Sequence, residues 1–463
     1  MVTRLCSSRR AKLLGTAGAL GLALLCPTGL AAETMNGALA KAYLGNPTLN
    51  AQRAGVRATD ETVPIAKAGM RPQVNATSSI GYSYLNNQGN GGGSSDLWPG
   101  SIGVSVTQQI YDGQRTKNSV RQAESNVFGA RENLRNQEQN TLLSGATAYM
   151  NVLRDTATVN LQRNNVEVLQ EQLRQTQDRF NVGEVTRTDV AQAEAALASG
   201  RSQLSVAEAN LKTSIAQYRQ VIGIEPRQLA PGRSIENLLP KTLDRSIVLA
   251  LSEHPAINAA MHGVDAAELQ VKVAQSALLP QLGLTSSLAR AWNSLTPGDA
   301  RTSASVVAQL TVPIYEGGQV YAQTRQAKET AGQARINVDV ARDQVRQALV
   351  SSWSALEAAK AQIDAATAQV QANEIALAGV REEAKVGQRT TLDVLNAQQL
   401  LLNSRVQLVS AQRDRVVNSY SVLSSIGKLS SRTLALSVTQ YDSKTHYKQV
   451  KDKWIGLDTP GGR

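Results

Sequence analysis

The sequence predicts a mostly helical α+β protein. Four amphipathic strands per chain are expected to complete a transmembrane β-barrel as a trimeric set of twelve, and a long α-helical coiled-coil barrel continues it. Three observations predict this. The chain is duplicated internally, each copy carries two alternating segments of strand length, and each copy carries two long helical segments with heptad spacing.

Residues 1–31 read as a secretory signal peptide. Arg4, Arg9, Arg10 and Lys12 precede an apolar stretch over 13–25, and Gly29-Leu30-Ala31 offers a small-x-small cleavage site. Both cysteines, Cys6 and Cys26, fall inside this segment. Leu25 is bulky where a lipoprotein pattern wants a small residue. The mature chain is therefore expected to lack cysteine, which excludes disulfides, thiolate nucleophiles and cysteine metal sites. Removing the segment takes four positive charges and no acid, so the formal charge falls from +11 to +7. The remaining Lys and Arg alternate with acids and Gln without an aromatic stacking platform, so no nucleic-acid partner is expected.

The duplication runs from one end of the mature chain to the other. Asn46-Pro47 recurs as His254-Pro255, and Pro72-Gln73 as Pro280-Gln281, both 208 residues on. Ile110-Tyr111-Asp112-Gly113 recurs as Ile314-Tyr315-Glu316-Gly317, 204 residues on. The same 204 relates Val182-Gly183 and Asp189-Val190 to Val386-Gly387 and Asp393-Val394, and Ile222-Gly223 to Ile426-Gly427. A loop four residues longer in the first copy, around 90–95, accounts for the change of offset. Repeat one is placed at 35–224, an inter-repeat linker at 225–242, repeat two at 243–428 and a tail at 429–463.

Each repeat opens with a helical stretch, near 48–70 and 256–278. Strands follow at 73–85 and 101–111, and at 281–292 and 303–314. Val74, Ala76, Ile80 and Tyr82 share one face of the first strand, with Asn75, Thr77, Ser79 and Ser83 on the other. The other three alternate likewise. A soluble sheet with one wet face shows the same alternation, but strands of about nine residues or more with one apolar face suit a transmembrane barrel. Turns at 86–96 and 297–299 would face outward, with Tyr84, Trp98 and Trp292 near an interface.

Long helices follow at 113–180 and 187–223, and again at 317–384 and 391–427. The first would be about 100 Å long at ~1.5 Å per residue. Val152, Val159, Val166, Leu173 and Phe180 are spaced by seven, matched by Leu356, Ile363, Val370, Leu377 and Ala384. The return helices carry Val190, Leu197, Leu204, Leu211 and Tyr218, and Val394, Leu401, Leu408 and Val422, with Arg415 breaking the second series. Seven-residue spacing sustained over several heptads means coiled-coil packing. Four strands cannot sit open in lipid, because their edges leave unpaired N–H and C=O groups. Two chains would give a filled bore; three would give twelve strands and a lumen lined by Ser, Thr, Gln and Gly.

The Asn/His-Pro starts, Pro-Gln strand starts, Ile-Tyr-(Asp/Glu)-Gly strand exits and Val-Gly…Asp-Val tips together resemble the TolC family of outer-membrane efflux and export channels. The resemblance covers the mature chain to about 428. It implies a homotrimer in outer-membrane lipid, a helical tunnel through the periplasm, and an equatorial region that includes the linker. It implies a passive exit duct of a tripartite efflux pump or type I secretion system, without cofactor or metal. The partners would be a periplasmic adaptor and an inner-membrane RND or ABC transporter, which would set substrate choice.

At the tips, Gly183 can end one helix in a left-handed conformation, and Thr186 with Asp189 can cap the next; Gly387, Thr390 and Asp393 repeat this. Capping alone accounts for both threonines. By the resemblance, Arg389 and Asp393 match gate positions, and Thr188 with Asp189 are their first-repeat counterparts. Val182, Gly183, Thr186, Val386, Gly387 and Thr390 would form the adaptor-docking tips. The family's best-known member has a second carboxylate ring where this chain has Asn396, and a gate tyrosine where it has Ala384. Catalysis is not expected: His254 and His262 read as solvated helix residues without a third ligand nearby, and the Gly-rich loop at 89–93 lacks a following Gly-Lys-Ser/Thr. A periplasmic coiled-coil adaptor or scaffold would share the heptads and tips but needs no paired amphipathic strands. The basic tail is expected to be partly disordered.

Overall fold

A computed structural model describes residues 32–86, 94–294 and 296–460. The expected signal peptide and the Gly-rich loop at 89–93 lie outside the described residues. Repeat one comprises α1 (Met35–Gly45), α2 (Pro47–Asp60), α3 (Thr62–Lys67), β1 (Gln73–Ile80), β2 (Ser83–Asn86), β3 (Ser94–Leu97), β4 (Gly100–Tyr111), α4 (Arg115–Asn181) and α5 (Arg187–Ile222). Repeat two comprises α6 (Leu243–Glu253), α7 (Pro255–Ser276), β5 (Gln281–Trp292), β6 (Ala300–Thr311), α8 (Gln319–Lys385) and α9 (Thr391–Ile426). The tail adds α10 (Ser443–Val450).

The two Asx/His-Pro starts work alike. The Asn46 side chain accepts from the N–H groups of Thr48 and Leu49, and His254 Nδ1 accepts from Ala256 N–H at 3.2 Å. Pro47 and Pro255 occupy the first helical position, where a missing N–H costs nothing. His254 is thus buried as a cap, not solvated, and its burial lowers its pKa. His262 is half-buried.

The main sheet has the order β1-β4-β5-β6, antiparallel throughout. The two repeats pair in the same register. Gln73 faces Thr107 in the first hairpin, and their duplicates Gln281 and Thr311 face each other in the second. Because the register is in phase up to a bulge after Gln109, even-numbered residues share one face across all four strands before it. That face carries Val74, Ile102, Val104, Leu288, Val306 and Leu310, all exposed. The other face carries small polar residues, with Ser79 and Ser287 hydroxyls 2.8 Å from those of Ser101 and Ser305.

Two strand bounds differ from expectation. The segment 73–85 breaks after Ile80, and its end pairs separately with β3 as a small hairpin. Its uninterrupted duplicate β5 has 12 residues. The segment 303–314 is shifted to Ala300–Thr311, because Pro313 has no N–H for a ladder bond.

The helices α4 and α8 each run 67 residues, about 100 Å at ~1.5 Å per residue. Heptad residues Val152, Val159, Val166, Leu197 and Tyr218 are buried in the first hairpin; Leu356, Leu377, Val394, Leu401 and Val422 are buried in the second. The main core lies midway along the molecule. There Leu39 and Tyr43 of α1, Leu49 of α2, Leu142 and Tyr149 of α4, Tyr218 of α5 and Tyr420 of α9 converge.

The expectation of a partly disordered tail is corrected over 429–450. Leu429, Leu434 and Leu436 join that same core. Helix α10 then docks on α2 through His446, whose Nδ1 lies 3.1 Å from Asp60 Oδ2. Tyr447 donates to Glu124 at 3.2 Å. Burial of large aliphatic side chains, about 1.5–3 kcal/mol each, offsets the ordering cost of this segment.

Candidate functional site: the hairpin tips and the open sheet

Two exposed helix turns, at the ends of α4/α5 and α8/α9, hold every candidate site residue except Asn396, which lies one turn further along α9. Their geometries are nearly the same. Gly183 and Gly387 have φ of +81° and +80°, a left-handed conformation that glycine adopts without a Cβ penalty. Gly183 N–H donates to Phe180 O and Glu184 N–H to Arg179 O, both at 2.9 Å. Gly387 and Gln388 repeat the pattern with Ala384 O and Glu383 O at 3.3 and 2.9 Å. This double bond satisfies carbonyls that the helix end would leave unpaired.

Both capping boxes are present. Asp189 Oδ2 accepts from Thr186 N at 2.9 Å and from its hydroxyl at 2.7 Å, while Asp189 N donates back to the hydroxyl at 3.3 Å. For Thr390 and Asp393 the distances are 3.0, 2.9 and 3.2 Å. The hydroxyl and amide of Thr186 hold the Asp189 carboxyl below the usual carboxylate range. The Thr390 amide and hydroxyl do the same for Asp393, with a smaller contribution from Arg389. Both acids are therefore ionised at neutral pH.

The tips differ in charge order. In the first, Arg179 on the outgoing helix pairs with Glu184 in the turn at 3.0 Å. In the second, Glu383 on the outgoing helix pairs with Arg389 in the turn at 2.8 Å, which raises the Arg389 pKa. Thr188 is exposed. Val182 and Val386 are 72% and 71% exposed, so neither turn valine is held by its own chain. On α9, Leu392, Asn396 and Leu400 form an exposed row beside the half-buried Asp393.

One constellation near the tips was not read from the sequence. Gln398 of α9 donates to Asn165 Oδ1 of α4 at 3.1 Å, both buried, and ties the two hairpins together. Leu395 packs beside it on Val166, Leu169 and Leu197 of the first hairpin. The duplicate positions, Gln369 and Glu194, are exposed, so no repeat signal marks the pair.

Among the described residues no helix is long and apolar enough to cross a membrane. The four-stranded sheet instead presents one mainly apolar face, with Val74, Ile102, Val104, Leu288, Val306 and Leu310 exposed on it. Its 12-residue strands, at ~3.3 Å per residue and a tilt near 40°, would span about 30 Å, the thickness of a hydrocarbon core.

Comparison with known proteins agrees with this architecture. A family model described as outer membrane efflux protein matches residues 38–224 and 246–428, the two repeats read from the sequence. The outer membrane efflux protein BepC of Brucella suis biovar 1 (strain 1330) is 46% identical over 440 residues, covering 94% of this chain and 95% of the relative. The outer membrane protein TolC of Escherichia coli (strain K12) is 28% identical, covering 87% and 84%. The solved Campylobacter jejuni CmeC outer membrane channel superposes with a TM-score of 0.77 at 18% identity, over 90% of this chain and 89% of that one. With a duplicated fold of this kind and both repeats matched, the chain belongs to the outer membrane efflux protein family, an outer-membrane exit duct with its long helices in the periplasm and not an enzyme.

Proposed function

We propose that three copies close into one twelve-stranded barrel and conduct substrates outward from an inner-membrane transporter, of RND or ABC type, through a periplasmic adaptor. The observation that carries this is the sheet itself. Among the described residues the outer edges of β1 and β6 have no strand beside them, while the apolar face is in phase across all four strands. β1 and β6 run in opposite directions, so β6 of one copy can pair antiparallel with β1 of the next. That is the even-numbered, all-antiparallel closure that lipid requires.

At the other end, the second tip forms the periplasmic constriction, with Asp393 as its negative ring, Arg389 beside it and Asn396 one turn further in. Thr188 and Asp189 supply the first-repeat counterpart. Val182, Gly183, Thr186, Val386, Gly387 and Thr390 dock the adaptor, and the exposed turn valines suit an apolar contact between helical tips. The mass of the detergent-purified complex, with bound detergent subtracted, tests the assembly. A trimer is expected. A monomer or dimer stable across detergents would overturn the twelve-stranded trimer.

A further inference from the structure

Residues 451–454 of the tail lie beside the start of β1, at the end of the sheet where the strands join the helices. Arg71, two residues before β1, donates to Lys453 O at 3.0 Å, and its guanidinium lies 4.6 Å above the ring of Trp454. Lys67 at the end of α3 donates to Lys451 O at 2.9 Å and to Asp452 at 2.7 Å. Helix α10, pinned by His446 and Tyr447, fixes the approach of this strap.

What the strap exposes is unusual for a surface in water. Trp454, Ile455 and Leu457 are 65%, 90% and 101% exposed within four residues. Ile65 and Met70, in the same band just before β1, are exposed too. The segment 444–458 that carries these apolar side chains also carries Lys444, Lys448, Lys451 and Lys453, against Asp452 and Asp458. At the opposite end of the sheet, Tyr82 and Trp98 pack with ring centroids 5.3 Å apart, and Trp292 lies over Gly100. The sheet thus has aromatic side chains at both ends, and the set beside the helices comes with a lysine-rich segment.

We propose that the strap 444–457 is a membrane-surface anchor that seats Trp454, Ile455 and Leu457 among the anionic phospholipid headgroups of the periplasmic leaflet. The inference rests on the barrel reading above. Two features favour lipid. The strap is tied to Arg71, two residues before the proposed membrane-spanning sheet, and its charge is complementary to an anionic surface. Trp and Lys are the residues enriched at such interfaces, where the indole sits at headgroup depth and the lysine stem lies along apolar surface with its charge in water. Each Lys near an anionic leaflet changes partition by about fivefold. Tying the strap to Arg71 and Lys67 would brace the first strand of each chain against the membrane surface.

The full-length protein is reconstituted in vesicles of brominated phosphatidylcholine, with and without phosphatidylglycerol. Tryptophan emission is compared between the wild type and Trp454→Phe, and the difference isolates Trp454. The expected result is quenching of the Trp454 share, stronger with phosphatidylglycerol, with that preference lost in the triple variant Lys448→Gln, Lys451→Gln, Lys453→Gln. If the Trp454 share is unquenched while the emission remaining in Trp454→Phe is quenched, the barrel stands and the anchor is overturned. A blue-shifted Trp454 share in that case would mean that a neighbouring copy covers the strap. Quenching indifferent to phosphatidylglycerol and to the lysines would overturn the role of anionic headgroups. No quenching in either protein would overturn the barrel reading, and the anchor with it.

Discussion

Asp393 caps α9, and its proposed second role in the constriction can be separated from the first. Its carboxylate caps α9, and in the proposed trimer three copies form a negative ring. Thr390→Ala removes the hydroxyl that receives Asp393 N and donates to its carboxylate, but leaves the charge. Losing such a cap costs about 1 kcal/mol, so amide exchange in the first turn of α9 should speed up about fivefold. Asp393→Asn keeps an acceptor oxygen for Thr390 but removes the charge. Arg389 is held by Glu383 at 2.8 Å, so it does not form a tight pair that would cancel Asp393. At ~6 Å in water, one carboxylate attracts a divalent cation by about a factor of ten, reduced by salt. Three copies together should then give a roughly ten- to hundredfold weaker block in Asp393→Asn. The assay is divalent-cation block of single channels in a planar bilayer, with hydrogen exchange run on the same variants. The depressed pKa of Asp393 also means that block in the wild type should persist as pH falls to the ordinary carboxylate value. Thr186→Ala, which removes the equivalent cap at the other tip, should loosen α5 without weakening block. Block unchanged in Asp393→Asn, or weakened as much by Thr390→Ala, would leave Asp393 as a cap alone.

Three further outcomes follow from the core and the linker. Glu236, in the inter-repeat linker, accepts from Arg415 of α9 at 2.8 Å and lies 3.3 Å from Lys360 of α8; with Arg415 as the main cause, its pKa is held down at about 2. A depressed carboxylate stabilises the fold above its unfolded value of 4.5 and loses that contribution as pH falls toward 2. Since the group is partly exposed, about 1 kcal/mol is at stake, and Glu236→Gln should flatten the acid limb of thermal melting curves over that window. The Tyr149 hydroxyl shares one proton between Glu33 O at 2.7 Å and Ala230 O at 2.6 Å, and burial pushes its pKa up to about 12. Tyr149→Phe should cost about 1–3 kcal/mol by chemical denaturation and expose the segment before α1 to protease. Gly113 combines φ of +64° with a backbone approach in which a Cβ would meet Ser276 O at 2.6 Å. Gly113→Ala should cost about 2–4 kcal/mol and lower the yield of assembled complex in the membrane fraction.

The duplication made the tips, the hairpins and the strand registers legible, because an offset preserved on both sides of a turn can only mean repeated geometry. Local periodicity did the rest for the long helices. What it missed were partners far apart in sequence. Arg415 looked like a flaw in a heptad series until Glu236, 179 residues away in an irregular linker, was found against it. A heptad position facing a linker instead of a helix has no reason to be apolar. The tail was misread for a related cause. Leu429, Leu434 and Leu436 follow neither helical nor strand spacing, because they fill gaps among α1, α4 and α9 instead of lining one face. Asn165 and Gln398 are buried only because the two hairpins lie side by side, and their duplicate positions are exposed. The order of the sheet shows where this reasoning stops within one chain. Periodicity within a repeat gives β1 with β4 and β5 with β6; joining β4 to β5 needs the tertiary fold. The same logic extends one level further. β1 and β6 are built with the same apolar face as the inner strands, yet among the described residues have no strand outside them. An edge so prepared is stable in lipid only against another copy of itself, so the proposed barrel is encoded in the two strands that the monomer leaves unfinished.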